Sequence, residues 1–551
     1  MIINFNLFLR KYFCTTGLIL ATIFFALSLT PSLLPRTNFY QGLLSGISTA
    51  IGYGLGVFLQ WLWLYFQLPK IKAKILYRIQ IAVITICFIF ASIYLWKASE
   101  WQNSIRALMN LKTDIPLSMI SIGLISLLVF ILLLLIGRLF LLLFRFSSKK
   151  LKIILPYRVS NVLGFISVLL LFWITFNGLL FSKLLDTIDS SYEQIDKLIE
   201  PEFEKPSFSN RTGSDASLLD WETMGRHGRR FLAYLPDNNL LKRISGAECE
   251  EPIRVYVGMN ISLNFEERSK LALEELLRQE AFKKSILVII TPTGTGWVDN
   301  GSILPLEVLH RGSVASVAAQ YSYLPSPLAL LIEREYGEEM AIALFKTIYN
   351  YWTTLPNDER PQLYLNGLSL GALNSDKSFE LMDIINDPFN GALWVGPPFR
   401  KETWRKITKN RNPDSPAWLP TFKDQSVVRF FNQEGTWDDS DAPWGSFRIA
   451  YLQYASDPIT FFSPNYFNKE PDWMKNPRGK DVTPKLKWFP IITMLQLAAD
   501  MSSSTAPKGY GHEYASAHYF DVWYALTEPK DWSKKDLEQI RQYFENMDSN
   551  L

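Results

Sequence analysis

The chain has 551 residues, enough for more than one domain, and a formal net charge of +3 that singles out no charged class of partner. Its three cysteines, Cys14, Cys87 and Cys249, exclude a disulfide framework and a thiolate metal cluster. Two different halves are joined: residues 1 to 182 are dominated by Leu, Ile, Phe and Gly, and the remainder has ordinary globular composition with many Trp, Tyr and Pro.

Five apolar stretches, near 13–30, 40–67, 79–96, 115–136 and 159–181, are close to the ~20 residues that cross a hydrocarbon core, so 1–182 is expected to be a transmembrane domain of about five helices. The first is not read as a cleaved signal peptide. Its apolar part is long, no small-residue cleavage site follows, and Pro31-Ser32-Leu33-Leu34-Pro35-Arg36 leads directly into the next stretch. The second carries Gly42 and Gly46, a G-x-x-x-G spacing that lets helices pack closely. No stretch has an acidic residue near its centre, which argues against ion or proton transport.

Basic residues in the short loops set the expected orientation. Arg10 and Lys11, then Lys70, Lys72, Lys74 and Arg78, then Arg138, Arg145, Lys149, Lys150, Lys152 and Arg158 fall on one side, and Arg36, Lys97, Arg106 and Lys112 on the other: twelve against four. This predicts a multi-pass protein of the cytoplasmic (inner) membrane with a cytoplasmic N-terminus. Five crossings then put the second half in the periplasm or facing the exterior. The lipid bilayer is thereby an expected partner.

Residues 183–249 read as a connector. Leu184, Leu185, Ile188, Tyr192, Ile195 and Ile199 fall on helical spacing with acidic residues between them, and 201–217 has the Pro, Ser and charge of a linker.

From 250 to 551 strands and helices alternate. Strands are expected at Ile253–Val257, Ser285–Ile290, Ser313–Tyr321, Leu363–Leu365, Ala392–Val395 and Phe447–Tyr454. Helices are expected at Glu266–Leu277, Leu328–Tyr351, from Ser369 to about Ile385, and Ile491–Met501. Such alternation implies a mostly parallel sheet with helices on both faces. Residues 400–446, with Trp404, Trp418, Trp437 and Trp444, read either as a cap over a site or as an ordinary insertion with buried Trp.

Gly367-Leu368-Ser369-Leu370-Gly371 stands between an apolar strand and a helix. A G-x-S-x-G there is the nucleophile elbow of an α/β-hydrolase, in which the acid and then the histidine follow the serine in the chain. His227 and His310 precede Ser369, leaving His512 in the glycine-flanked loop Gly509–Tyr514 and, less suitably placed, His518. Asp457, just past a late strand, is the acid of choice over Asp472 and Asp500, although Asp before Pro is also common in turns. The backbone N–H of Leu370 is expected to form half of an oxyanion hole, and the loop Thr291–Trp297 the other half, with Thr293 and Gly294 as candidates. That loop lacks the Gly-Lys-Ser/Thr of a P-loop, and no cofactor, metal or nucleic-acid signature is present.

The chain resembles a largely uncharacterised bacterial family of membrane-associated α/β-hydrolases with their own N-terminal multi-span module. The likeness rests on Thr30–Arg36 with the glycine-rich stretch through Gly56, Arg226–Phe231, Thr291–Asp299, Gln320–Pro325, the serine pentapeptide, Trp394–Pro398, Ser456–Pro458 and Gly511–His512. It implies an N-terminal α-helical transmembrane bundle plus a C-terminal α/β-hydrolase fold, with Ser369, Asp457 and His512 at the triad-like positions. Leu368 departs from an acidic residue in relatives, which touches substrate preference. The expected activity is a serine hydrolase cleaving an acyl ester of a lipid or envelope component. An acyltransferase using the same acyl-enzyme, and a non-catalytic scaffold on this fold, stay open.

Overall fold

The computed structural model describes residues 14–69, 73–113, 118–175, 182–261, 264–332, 334–437, 442–502 and 506–550. The chain divides into two units, each assembled from two separated segments. One comprises Met1–Leu184 with Phe462–Pro507, the other Leu185–Phe461 with Lys508–Leu551. Residues 462–507, expected within the 250–551 domain, thus fall in the N-terminal unit, and 185–249, expected as a connector, falls in the second.

The N-terminal unit is built on helices α1 (Thr15–Ser28), α2 (Asn38–Tyr65), α3 (Ala73–Leu108), α4 (Met119–Leu151) and α5 (Tyr157–Trp173). Three of the five expected spans lie in helices long and apolar enough to cross a membrane: Asn38–Tyr65, Arg78–Leu108 and Met119–Leu151. The other two, α1 and α5, are apolar but have 14 and 17 residues. Parts of the first and last expected spans, at 13 and 176–181, lie outside the described residues. Helix α3 continues 36 residues, well past the expected end at 96 and through Lys97 and Arg106. A helix is propagated by its backbone hydrogen bonds, so it does not stop where the apolar composition stops.

Glycines set how closely these helices approach. A Cβ at Gly42 would lie 2.7 Å from Ile125 Cβ, and one at Gly46 would lie 2.6 Å from Val129 Cβ, so α2 meets α4 along the G-x-x-x-G edge. Across that contact the Ser126 hydroxyl donates to the Gly42 carbonyl at 3.1 Å. On another face Gly52 and Gly56 admit the α1 backbone at Leu20 and Thr16. Only residues without a side chain permit these distances.

A buried polar cluster ties residues 462–507 to this bundle. The Arg36 Nε donates to Asp500 Oδ1 at 2.8 Å, with both side chains fully excluded from solvent. Asp500 also accepts from the Ser32 hydroxyl and the Leu33 N–H, each at 3.1 Å. The remaining guanidinium donors reach Gln41 Oε1 and the Gln496 carbonyl, each at 3.2 Å, and the Arg36 N–H reaches Gln102 Oε1 at 2.7 Å. Asp500 and Gln496 lie four residues apart on the helix Ile492–Ser502, so both face the same way. Asp500, a rival for the catalytic acid, is thus consumed in structure. Asp472, the other rival, starts a short turn and pairs with Lys475 at the surface.

The second unit holds seven strands: β1 (Ile253–Val257), β2 (Ile286–Thr291), β3 (Val314–Ala319), β4 (Gln362–Leu368), β5 (Gly391–Val395), β6 (Val428–Phe431) and β7 (Arg448–Leu452). They form one all-parallel sheet in the order β1-β3-β2-β4-β5-β7-β6. Every residue of β2 and β3 is buried, as expected where helices cover both faces. The register pairs Thr291 with Gly367, Leu368 with Val395, and Val395 with Leu452. The carboxyl ends of β2, β4, β5 and β7 therefore finish level, and the four loops that follow them emerge together.

Two expected helices are divided. Leu328–Tyr351 spans two, Ser326–Ile332 and Arg334–Trp352, and the helix after Ser369 ends at Asp376 before a short turn of helix at Leu381–Ile384. The segment 400–446 is not a detached cap, because it supplies the edge strand β6. Trp404, Trp418 and Trp444 are buried, and Trp404 Nε1 donates to Gln453 Oε1 at 2.7 Å, so these rings serve the packing of the sheet edge. Trp437 is the partly exposed one.

Removing one partner of a buried ion pair strands the other charge, at a cost of ~3–5 kcal/mol. Arg36→Met is therefore expected to lower the detergent-solubilised unfolding temperature and to expose 462–507 to limited proteolysis, and Arg36→Met/Asp500→Leu to recover much of the loss. An Arg36→Met protein with wild-type melting and cleavage would contradict a structural role for the pair.

Candidate active site

Ser369 sits directly at the end of β4 and before the helix Leu370–Asp376, with φ 56° and ψ −121°. That backbone region costs a non-glycine residue ~1–3 kcal/mol and persists only where its surroundings enforce it. Here the enforcement is visible. The Ser369 N–H donates to the Val395 carbonyl of β5 at 2.9 Å. A Cβ at Gly367 would lie 2.5 Å from the Gly371 carbonyl carbon, and one at Gly371 would strike the Thr291 carbonyl oxygen. Both flanking glycines are thus required by the close passage of neighbouring backbone. The serine residue as a whole is buried, 8% exposed.

Asp457 follows β7 and is fully buried. Its Oδ1 accepts the Ile459 N–H at 2.8 Å, so it caps the turn of helix Pro458–Phe461. Its Oδ2 accepts from the Thr460 hydroxyl at 3.1 Å, from the Tyr514 hydroxyl at 2.8 Å, and pairs with His512 Nδ1 at 2.8 Å. The two readings of Asp457, a turn residue and a histidine partner, hold together because different oxygens serve them.

His512 is presented by a tight loop in which Gly509 N–H donates to the Glu513 carbonyl at 2.7 Å and Gly511 N–H to the Ser456 hydroxyl at 2.9 Å. Its ring rests on Gly396, where a Cβ would lie 2.6 Å from His512 Cε1. Gly396, at φ 51°, immediately follows the Val395 that holds the Ser369 N–H. The imidazole therefore lies beside the end of β5, against which the serine turn is also tied. With Nδ1 on Asp457, the buried Nε2 is left without a hydrogen-bond partner.

Electrostatics separate the four histidines. Burial disfavours the His512 imidazolium, but the charge and hydrogen bond of Asp457 outweigh it and raise the pKa above the ordinary value. Burial pushes His227, His310 and His518 down to about 4. His518 shares a 2.6 Å hydrogen bond with the Tyr454 hydroxyl, and His310 Nε2 meets the Thr527 hydroxyl at 2.9 Å, as structural residues do.

Leu370 is the first residue of its helix, where the helix itself supplies no acceptor for the N–H. In the loop after β2, both candidate donors already have partners. Thr293 N–H donates to the Trp297 carbonyl at 3.0 Å and Gly294 N–H to the Ser326 hydroxyl at 3.1 Å. Leu368, the departure from the family pattern, is the last residue of β4 and is buried. Among the described residues no group of His, Cys, Asp and Glu side chains is placed to hold a metal ion.

Tyr514 and Thr460 are the contributions that sequence reasoning passed over. Tyr514 lies two residues from His512, and nothing in the local pattern marks its hydroxyl as a donor to Asp457.

Residues 253–540 match a family described as an alpha/beta-hydrolase family, and residues 29–236 match the one described as its N-terminus. No curated protein and no solved structure matches the chain.

A neutral His512 is needed to accept a proton, and its raised pKa places the acid limb of any His512-dependent rate above the ordinary value of 6.5. Activity is expected to be full above that pKa and to fall as the pH drops through it. Tyr514→Phe removes one donor from Asp457, leaves more of the carboxylate's charge directed at His512, and is expected to move the acid limb to higher pH. A shift to lower pH, in a profile of Ser369 modification rate against pH, would contradict this arrangement.

Proposed function

Because the chain belongs to the alpha/beta-hydrolase family, we propose that it is a membrane-anchored serine hydrolase that cleaves an acyl ester, with Ser369 as nucleophile, His512 as general base and acid, and Asp457 as the residue that orients His512. The observation that carries the reading is the convergence at one sheet end of a strained serine turn and a histidine whose Nδ1 is fixed by a buried carboxylate and whose Nε2 is left over.

The chemistry follows from those positions. Ser369 Oγ attacks the ester carbonyl carbon while His512 Nε2 takes the hydroxyl proton. The tetrahedral oxyanion collapses, the C–O bond to the alcohol breaks, and the imidazolium returns the proton to the departing oxygen. Water then attacks the acyl-serine, again losing a proton to His512, and the acid leaves as Ser369 is regenerated. Asp457 holds the tautomer in which Nε2 is the base. The oxyanion is assigned to the Leu370 N–H and a donor from the 291–297 loop. Since the Thr293 and Gly294 N–H groups have internal partners, either of them would have to exchange its partner for the oxyanion.

A lipid or envelope ester is the substrate class that suits an enzyme joined to apolar helices. Placement in the cytoplasmic membrane with the N-terminus inside follows from the basic residues of the loops. An odd number of crossings, three or five, carries the second unit to the opposite face. An even number would return it to the cytoplasm.

Labelling of membranes with a fluorophosphonate tests the reading directly. The wild type is expected to label, and Ser369→Ala and His512→Ala to lose labelling by at least about a thousandfold in rate. Failure of folded wild type to label would remove the enzymatic reading. Undiminished labelling of Ser369→Ala would move the nucleophile elsewhere.

A further inference from the structure

The helix α6 (Ser182–Lys197) follows the last apolar helix in the chain, and the second unit begins within it, at Leu185. Near its end stands Asp196, buried at 6% exposure although its helix neighbours are largely solvated. A carboxylate taken out of water must be compensated by donors, and those found here lead toward the catalytic end of the sheet. Its Oδ1 accepts the Arg226 N–H at 3.0 Å, where Gly225, at φ 73°, has no room for a Cβ because the Asp196 carboxylate fills it. Its Oδ2 accepts from Asn260 Nδ2 at 3.3 Å, and Asn260 directly follows Met259, whose N–H donates to the side chain of Gln320.

Gln320 is the junction. It follows β3 and is fully buried. Its Nε2 donates to the Thr295 carbonyl at 3.3 Å and to the Ser322 carbonyl at 3.1 Å, while Oε1 accepts the Met259 N–H at 3.3 Å. Thr295 belongs to the loop assigned to the oxyanion. The next residue, Gly296, is held from the other side by the Tyr256 hydroxyl, which donates to its carbonyl at 2.7 Å. At φ 83° a Cβ on Gly296 would strike that hydroxyl and lie 2.7 Å from Gln320 Cγ. The loop is therefore gripped between Tyr256 and Gln320, and Gln320 in turn holds the Met259–Asn260 segment that Asp196 anchors through Asn260 Nδ2. Arg229 secures the end of α6 itself, donating to the Asp196 carbonyl at 3.1 Å and to the Leu198 carbonyl at 2.6 Å.

We infer that Asp196 is a positioning residue: acting through Asn260 and then Gln320, it sets the 291–297 loop and so couples the helix by which the chain leaves its apolar half to the stabilisation of the oxyanion at Ser369. This rests on the serine-hydrolase reading and deepens it, since the connector becomes part of the site's support rather than a tether. Displacing oxyanion donors by a fraction of an ångström to an ångström costs roughly tenfold to a hundredfold in the chemical step, with ground-state binding little affected.

The experiment uses the full chain in detergent and follows covalent modification of Ser369 by a fluorophosphonate, resolved into the maximal rate constant and the half-saturating probe concentration. In that reaction Ser369 Oγ bonds to phosphorus, fluoride leaves, the serine proton passes to His512, and negative charge develops on the phosphoryl oxygen. Asp196→Asn keeps the shape but turns an N–H group toward donors, and Gln320→Met removes the amide. Each is expected to lower the maximal rate constant about tenfold or more at an unchanged half-saturating concentration, and the double variant to be no slower than the slower single, because both break one chain of contacts. The rate constant is read on the fraction that labels, so any loss of folded protein lowers the amplitude and leaves the comparison intact. Wild-type labelling with variants that react at the wild-type rate, or whose losses multiply, overturns the coupling alone. A wild type that never labels overturns the hydrolase reading and this inference with it.

Discussion

The backbone of Ser369 is the constraint around which the second unit is organised. A serine at φ 56° and ψ −121° is intrinsically unfavourable by ~1–3 kcal/mol. That is about what one fully buried aliphatic side chain contributes, and β4 alone buries Leu363, Leu365 and Leu368. Strain of this size is sustainable only where strands on both sides are fixed. The parallel register between β2, β4 and β5 does this, bringing the Thr291 and Val395 carbonyls to the two faces of the turn. Glycine at 367 is then a steric consequence of the turn folding back on its own backbone at Gly371 and Ala372, and glycine at 371 of the approach of the Thr291 carbonyl at the end of β2.

The acid shows how a single buried side chain can meet two demands. Left in the interior, the Asp457 carboxylate needs several donors to replace the water it has lost. Backbone N–H at Ile459 and the Thr460 and Tyr514 hydroxyls supply them, and His512 Nδ1 completes the set. The extra donors stabilise the carboxylate and moderate its pull on the imidazole proton. The histidine loop is tied to the same corner, since the Ser456 hydroxyl next to Asp457 accepts the Gly511 N–H.

The parts of the fold that were legible in sequence were those written in local patterns. The buried strands around 286–290 and 392–395 show as uninterrupted apolar runs, and the order of Ser369, Asp457 and His512 follows from position alone. The edge strand β6 was missed because Val428–Phe431 is four residues long and carries Arg429, with neither alternation nor length to mark it. The departure of 462–507 from the second unit was missed for a different reason. It depends on contacts across more than four hundred residues, and a pattern in one helix does not name its partner. The one local trace is the Gln496–Asp500 pair, two polar residues four apart in the otherwise apolar ITMLQLAADMS. Likewise the engagement of the Thr293 and Gly294 N–H groups is a property of loop shape, set by Trp297 and Ser326, that no motif encodes.

The interleaving of the two units bears on the order in which they are made. Asp500 stands 464 positions after Arg36 in the chain, so Arg36 is made long before Asp500 exists to receive it. During synthesis the first helices are complete while their buried cation still lacks its counterion, and all seven strands of the sheet are translated before it arrives. The helical unit therefore cannot reach its final packing until the sheet has been translated, although its helices come first. The bundle is closed only in chains long enough to have already supplied both Ser369 and Asp457, with His512 still to follow.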